Sequence, residues 1–210
     1  MRTIRKNAEP ASLREYRAGG GDYDDCPCKG DLREALVSEQ RGICCYCMGR
    51  ISSGFRQMKI EHWHPQQPPF LHEQLQYRNL LGACMGGEGE QPQKQHCDTR
   101  KGDRLLKWNP ADPDRSIEDQ VAFLADGRIS SDDLQLNQEL NSVLNLNVAR
   151  LKENRLQTLD ALKETLARNT TKNQLERLLR EWNGESSGSP LPPYCQVVVQ
   201  WLRKGLRRYS

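Results

Sequence analysis

The chain has 210 residues, a formal net charge of +3, 36 % hydrophobic residues and 28 % charged residues. With a mean hydropathy of −0.84 and no apolar run near the roughly 18 residues that span a bilayer, it is not an integral helical membrane protein. MRTIRKNAEP has a basic start but no apolar stretch behind it, so no secretory signal is read and a cytoplasmic protein is expected, in which the eight cysteines point to metal ligation rather than disulfides.

In chain order, residues 1–30 read as an irregular arm, because RAGGGDYDDCPCKGD is rich in glycine and aspartate. Asp31 is the expected N-cap of a short helix with Leu32, Ala35 and Leu36 on one face, ended by Gly42. ICCYCMGRI follows as a knuckle. Residues 56–63, RQMKIEHW, alternate as a strand with Met58, Ile60 and His62 on one side. QYRNLLGACM is extended or a short helical turn, GGEGEQPQKQ a polar loop, and CDTRKGDRLLKW a helix despite Gly102. WNPADPDRS marks a boundary, and IEDQVAFLADGRIS a hairpin turning at Asp126-Gly127.

From about residue 132 the period becomes helical. NVARLKENRLQTLDALKETLARN carries Val148, Leu151, Leu159, Leu162 and Leu166 in a stripe with Leu156 beside it. TKNQLERLLREW gives a further helix, and GESSGSPLPP a break. YCQVVVQWLRKGLRRY is ambiguous: three valines favour a strand, while Val198, Trp201, Leu202 and Leu206 suit the helix that is preferred. The leucine stripes are read as core. Arg203, Lys204, Arg207 and Arg208 form a basic tail that can touch phosphates or an acidic partner, or else is a solvated helix face. The expected organisation is an arm over 1–30, a core over 31–107, a linker and hairpin over 108–131, and a helical region over 132–210.

Cys44 and Cys47 form a C-x-x-C pair that can face one zinc from a tight turn. Cys84 and Cys97 are the natural second pair, completing a closed four-sulfur site of the structural type. The insert between them, MGGEGEQPQKQH, is flexible, and closing it costs little entropy. His96 is an alternative to Cys97. Cys26 and Cys28 read as an incidental C-x-C, and Cys195 as an apolar helix-face residue.

Between the pairs lies KIEHWHP, with Glu61, His62 and His64. Asn79 follows in YRNLL, and Asp98 and Lys101 come directly after Cys97. His72 is assigned to the surface. A histidine that is neutral near pH 7 can take a proton from water. Carboxylates at 61 and 98 offer hard oxygen ligands suited to Mg²⁺ or Mn²⁺. Together these are the needs of phosphodiester hydrolysis. Adjacent strand side chains point opposite ways, so Glu61 and His62 can act together only where the strand ends, bulges or twists.

These motifs resemble the HNH endonucleases with a zinc-bound ββα-metal fold. Their order is C-x-x-C (Cys44, Cys47), Asp/Glu-His (Glu61-His62), Asn-Leu (Asn79-Leu80), then a second cysteine pair followed by a metal ligand and x-x-Lys (Cys84, Cys97, Asp98, Lys101). The likeness is closest to the PtuB-type nuclease of Septu and retron-associated anti-phage systems, through E-Q-x-G-I-C-x-Y-C, IEHWHP, YRNLLGAC and HCD-x-x-KGD. The resemblance implies an α+β protein with a zinc-held core and a mainly helical C-terminal part. It implies a DNA-cleaving endonuclease with structural Zn²⁺ and catalytic Mg²⁺ or Mn²⁺. Its partner would be an ABC- or SMC-like ATPase of the PtuA type, in some systems with retron components, docked on the helical region.

In that likeness Glu61 is a ligand of the catalytic ion, His62 the general base, and Asn79 the residue that orients the base-bearing loop. Asp98 stands where His or Asn commonly ligates, the alternative being that it only caps the following helix. His64 is left open between an accessory metal or phosphate contact and a residue that simply shares the IEHWHP strand end. Lys101 is left open between a hydrogen bond, a phosphate contact and a solvated helix face. The alternative is a catalytically inactive, zinc-stabilised module that binds nucleic acid or a partner, which needs the cysteines but neither Glu61 nor His62.

Overall fold

The computed structural model describes residues 1–54, 56–166, 170–185 and 190–209. Among these the architecture is α+β, with two small antiparallel sheets and seven α-helices. No helix is long and apolar enough to cross a membrane.

Helix α2 (Lys29–Glu39) starts before Asp31, which is not its cap. Cys28 occupies the N-cap position, and Asp31 lies in the first turn, where a carboxylate complements the positive end of the helix dipole. Leu32 and Leu36, one helical turn apart, are fully buried. Strand β1 (Lys59–His62) pairs antiparallel with β2 (Leu80–Ala83), with Glu61 opposite Leu81 and His62 opposite Leu80. The expected strand from residue 56 is shortened because Arg56 sits at φ 57°, in the left-handed region that extended pairing does not admit.

Gln40 ties this sheet to α2 and the cysteine knuckle. Its buried side-chain amide donates to Gly82 O (2.8 Å) and Ile43 O (2.9 Å) and accepts from Gly82 N (2.6 Å). Gly82 O also accepts from Cys45 N at 3.0 Å. A Cβ on Gly82 would lie 3.0 Å from Ile51 Cδ1, 3.2 Å from Gln40 Nε2 and 3.2 Å from Met58 Cε. Gly82→Ala is therefore expected to cost about 1–3 kcal/mol as an overpacked site. Thermal denaturation would show it as about 2–4 °C per kcal/mol for a chain of this size, and an unchanged Tm would contradict the close packing.

Helix α3 is Cys97–Lys101 only, not the longer helix expected through residue 108. Gly102 adopts φ 54° and ψ −136°, a conformation open to glycine that turns the chain out of the helix. The order β1, β2, α3 thus places one short helix after a two-stranded hairpin.

The first 30 residues are more ordered than expected. Helix α1 (Ala11–Ala18) buries Leu13, and Met1 and Ile4 enter the main core. Ile4 N donates to Pro110 O at 2.8 Å. Three well-separated apolar residues carry no period, so only the tertiary partner orders this segment.

Strands β3 (Ala122–Phe123) and β4 (Ile129–Ser130) form the hairpin, with Gly127 at φ 79° in its turn. Helix α4 (Leu134–Gln138) is capped by Asp133, whose side chain accepts from Leu136 N at 2.9 Å, and runs on into a π-turn over Glu139–Val143. Helices α5 (Ala149–Thr165), α6 (Lys172–Trp182) and α7 (Cys195–Leu206) follow. Leu162, Leu175, Val198 and Leu202 pack together between them. The three valines of α7 are all buried, so tertiary packing outweighs their β preference. The end of the α5 pattern at 167–169 and the core of the expected break at 186–189 lie outside the described residues.

Candidate metal centre and the adjoining polar site

Cys44, Cys47, Cys84 and Cys97 come together as the C-x-x-C reading anticipated. All four sulfurs lie within 4.8 Å of one another. Cys44 Sγ is 3.9 Å from Cys97 Sγ, and Cys47 Sγ is 3.7 Å from Cys84 Sγ. Tetrahedral zinc with Zn–S of about 2.3 Å requires sulfurs about 3.8 Å apart, so the donor set fits such an ion.

Three features build the cage. The knuckle turns with Met48 at φ 64°, closed by Met48 N donating to Cys44 O and Cys44 N donating to Gly49 O. Gly49 N donates to Cys47 Sγ, and Cys84 N to Cys44 Sγ, both at 3.3 Å. Cys97 takes φ 55° at the start of α3, its N–H held by Leu144 O at 2.9 Å.

Burial pushes the Cys97 thiol well up, and its sulfur neighbours push the same way. Burial also opposes ionisation of Cys44, but hydrogen bonds from Cys45, Cys47, Cys84 and Cys97 draw it well below the usual thiol range. Ionisation is thus favoured at Cys44 and opposed at Cys84 and Cys97, and a divalent cation is what offsets that opposition.

His96 is a neighbour of the cluster rather than a replacement for Cys97. Arg150 donates to its Nε2 at 3.0 Å. The neutral ring therefore carries its proton on Nδ1, 3.1 Å from Cys97 Sγ, and donates it to the sulfur.

Glu61 points from β1 toward α3 and is buried, 1 % exposed. Its Oε1 accepts from the Tyr46 hydroxyl at 2.7 Å and pairs with Lys101 Nζ at 2.8 Å. Lys101 is equally buried and also donates to His62 O at 2.9 Å, so it is not a solvated helix face. Asp98 lies 3.7 Å from Lys59 Nζ. Burial raises the Glu61 carboxyl well above the usual range, Asp98 adds to this, and Lys101 opposes it.

His62 is the last residue of β1, which meets the requirement that the strand end there. A carbonyl only accepts, so the 3.0 Å contact to Gln74 O fixes the proton on Nε2, leaving Nδ1 with the lone pair. Burial lowers its pKa, with Gln74 and Asp98 opposing. The Tyr23 ring stands edge-on against it, 4.4 Å between centroids. His64 stacks on Phe70 and donates from Nδ1 to Glu73 Oε2 at 2.8 Å. Asn79 clamps this loop: its Oδ1 accepts from His64 N at 2.7 Å and its Nδ2 donates to His64 O at 3.1 Å. His72 is exposed.

Sequence reasoning missed Tyr46, Tyr23, Glu73 and the Gln74 carbonyl. Of these, Tyr46 alone stood inside a recognised motif, as the spacer of C-C-Y-C. Arg155 was also missed. It is buried within the α5 stripe and donates from Nη1 to Gly127 O at 2.6 Å and from Nη2 to Leu146 O. Cys26 and Cys28, expected as an incidental pair, are joined by a disulfide, their Cα atoms 5.4 Å apart and within bridging range. Cys195 is buried on α7.

The chain therefore carries a cluster of four cysteines able to hold a metal ion such as zinc. No protein-family model matches it, and no curated protein matches its sequence.

Proposed function

We propose that the chain is a metal-dependent endonuclease of the HNH type, hydrolysing DNA phosphodiester bonds on a zinc-braced ββα core. The observation that carries this reading is the seating of Glu61 and His62, at the end of β1, between the cysteine knuckle and α3: Tyr46, between Cys44 and Cys47, donates to Glu61 Oε1 at 2.7 Å, and Lys101, four residues after Cys97, lies 2.8 Å from Glu61 Oε1 and donates to His62 O at 2.9 Å. His62 keeps Nδ1 as an acceptor because its Nε2–H donates to Gln74 O, and burial lowers its pKa, favouring the neutral ring. It is suited to remove a proton from an attacking water.

Glu61 and Asp98 are the residues that would hold Mg²⁺ or Mn²⁺. Such an ion would supply the charge neutralisation that phosphodiester hydrolysis needs. Lys101 holds Glu61 and the His62 carbonyl in place, and Asn79 holds the loop after the base. The resemblance of the motifs extends the proposal to an effector nuclease of an ATPase-coupled anti-phage system, with a PtuA-type ATPase as partner.

One observation favours the rival reading of an inactive binding module. Glu61 Oε1 is already taken by Tyr46 and Lys101, leaving only part of the carboxylate for a second metal.

Plasmid nicking by the purified chain, alone and with its ATPase neighbour, decides between them. Nicking that appears with added Mg²⁺ or Mn²⁺ and is lost in Asp98→Ala is expected. No cleavage under any of these conditions, with zinc retained, would leave the binding module as the surviving reading.

A further inference from the structure

One large surface feature lies away from the cysteine cluster. It is a groove of about 1910 Å³ between the N-terminal segment, the stretch before and after Pro110, and the turn that precedes β2. Pockets for small molecules run to about 300–1,000 Å³, so the space suits part of a macromolecule. Trp63, His64 and Asn79 line one end, which connects the groove to the loop that follows His62.

The charge in the groove is unevenly answered. Its carboxylates mostly turn to internal partners: Glu39 to Lys6, Glu9 to Arg17, Glu73 to His64, and Glu118 to Thr3 N at 2.6 Å. Asp114 is an exposed exception. Arg5, Arg78 and Arg203 line the groove, are exposed, and have no carboxylate partner among the described residues. They come from three separate elements: the N-terminal segment, the turn before β2, and α7. Guanidinium groups without a carboxylate partner, brought to one groove from separate elements, match a polymer of phosphates better than a single anion.

We infer that this groove is the path of a nucleic-acid backbone, with Arg5, Arg78 and Arg203 as phosphate contacts and the His64 loop at its end. The inference takes its ligand from the nuclease reading, but it concerns a different surface and is tested without cleavage.

The test is fluorescence anisotropy of a labelled DNA duplex with the zinc-loaded full chain and no added Mg²⁺ or Mn²⁺. Arg5→Ala/Arg78→Ala/Arg203→Ala is compared with Lys172→Ala/Arg177→Ala/Arg180→Ala, which removes equal charge from the exposed face of α6. The groove variant is expected to bind at least about tenfold more weakly, and the slope of log Kd against log salt to fall by about 3. The α6 variant is expected to keep the wild-type slope.

Equal losses in the two variants overturn the inference, as does a wild-type chain that binds no duplex. If polyglutamate binds as tightly and suffers the same loss, the groove is an acidic-protein site and the inference is also wrong. Metal-dependent nicking that survives intact in the groove variant, with unchanged binding, removes the groove while leaving the nuclease reading standing. Groove-dependent binding without any nicking removes the nuclease reading alone.

Discussion

Cys97→Ser is expected to abolish zinc binding by the four-cysteine cluster and, with it, most of the stability that such an ion would supply. Structural zinc contributes about 10–16 kcal/mol in small finger peptides, whereas whole domains are stable by only about 5–15 kcal/mol. A loss of about 5 kcal/mol would lower Tm by about 10–20 °C in a chain of this size. The effect should spread beyond the site, because Cys97 begins α3, and α3 supplies Lys101 to the buried pair with Glu61.

Metal analysis and a thermal melt check this together. Cys195→Ser is the control: it places a hydroxyl in the apolar interior of α7 and should lower Tm while leaving the zinc content whole. A Cys97→Ser protein that keeps one zinc per chain and melts within a few degrees of wild type would refute the four-sulfur site.

The second large effect is expected at His62. If its Nδ1 accepts the proton of the attacking water, His62→Ala should lower the nicking rate about 10²–10⁴-fold, the usual contribution of a positioned general base. Zinc content should change little, since His62 is no member of the sulfur cage, while Tm should fall by a few degrees because the buried ring gives up its bond to Gln74 O and its packing against Tyr23. The lowered pKa of His62 gives the sign of the pH dependence: the rate should be steady near neutral pH and fall on acidification, as the ring gains its second proton.

His64→Ala is the informative comparison. The structure holds both imidazoles by Nε2 or Nδ1 to a fixed acceptor, Gln74 O for His62 and Glu73 for His64. A greater loss from His64→Ala than from His62→Ala would transfer the role of base to the loop that opens on the groove.

The parts of this molecule legible from sequence are those set by short-range chemistry. The C-x-x-C turn at Cys44 and Cys47 needs only local geometry to aim two sulfurs together. The periods of α5 and α6 follow from the i, i+3, i+4 spacing of their leucines, and the Asp126-Gly127 turn from the φ that glycine tolerates. Where local rules competed with distant ones, the reading slipped. The helix expected past Gly102 stops at Lys101, and α2 begins before the residue that looked like its cap.

The residues themselves already established that four thiols, two carboxylates and two histidines were available at spacings suited to metal and proton chemistry. Only the tertiary structure decided how they are used. Lys101 became a buried partner of Glu61 because α3 packs against β1. Asn79 came to clamp His64 because β2 lies beside β1. Gln40 joined the knuckle to Gly82 across 42 positions. These contacts join residues whose separation along the chain carries no period and no motif, so they exist only once the core has closed around them.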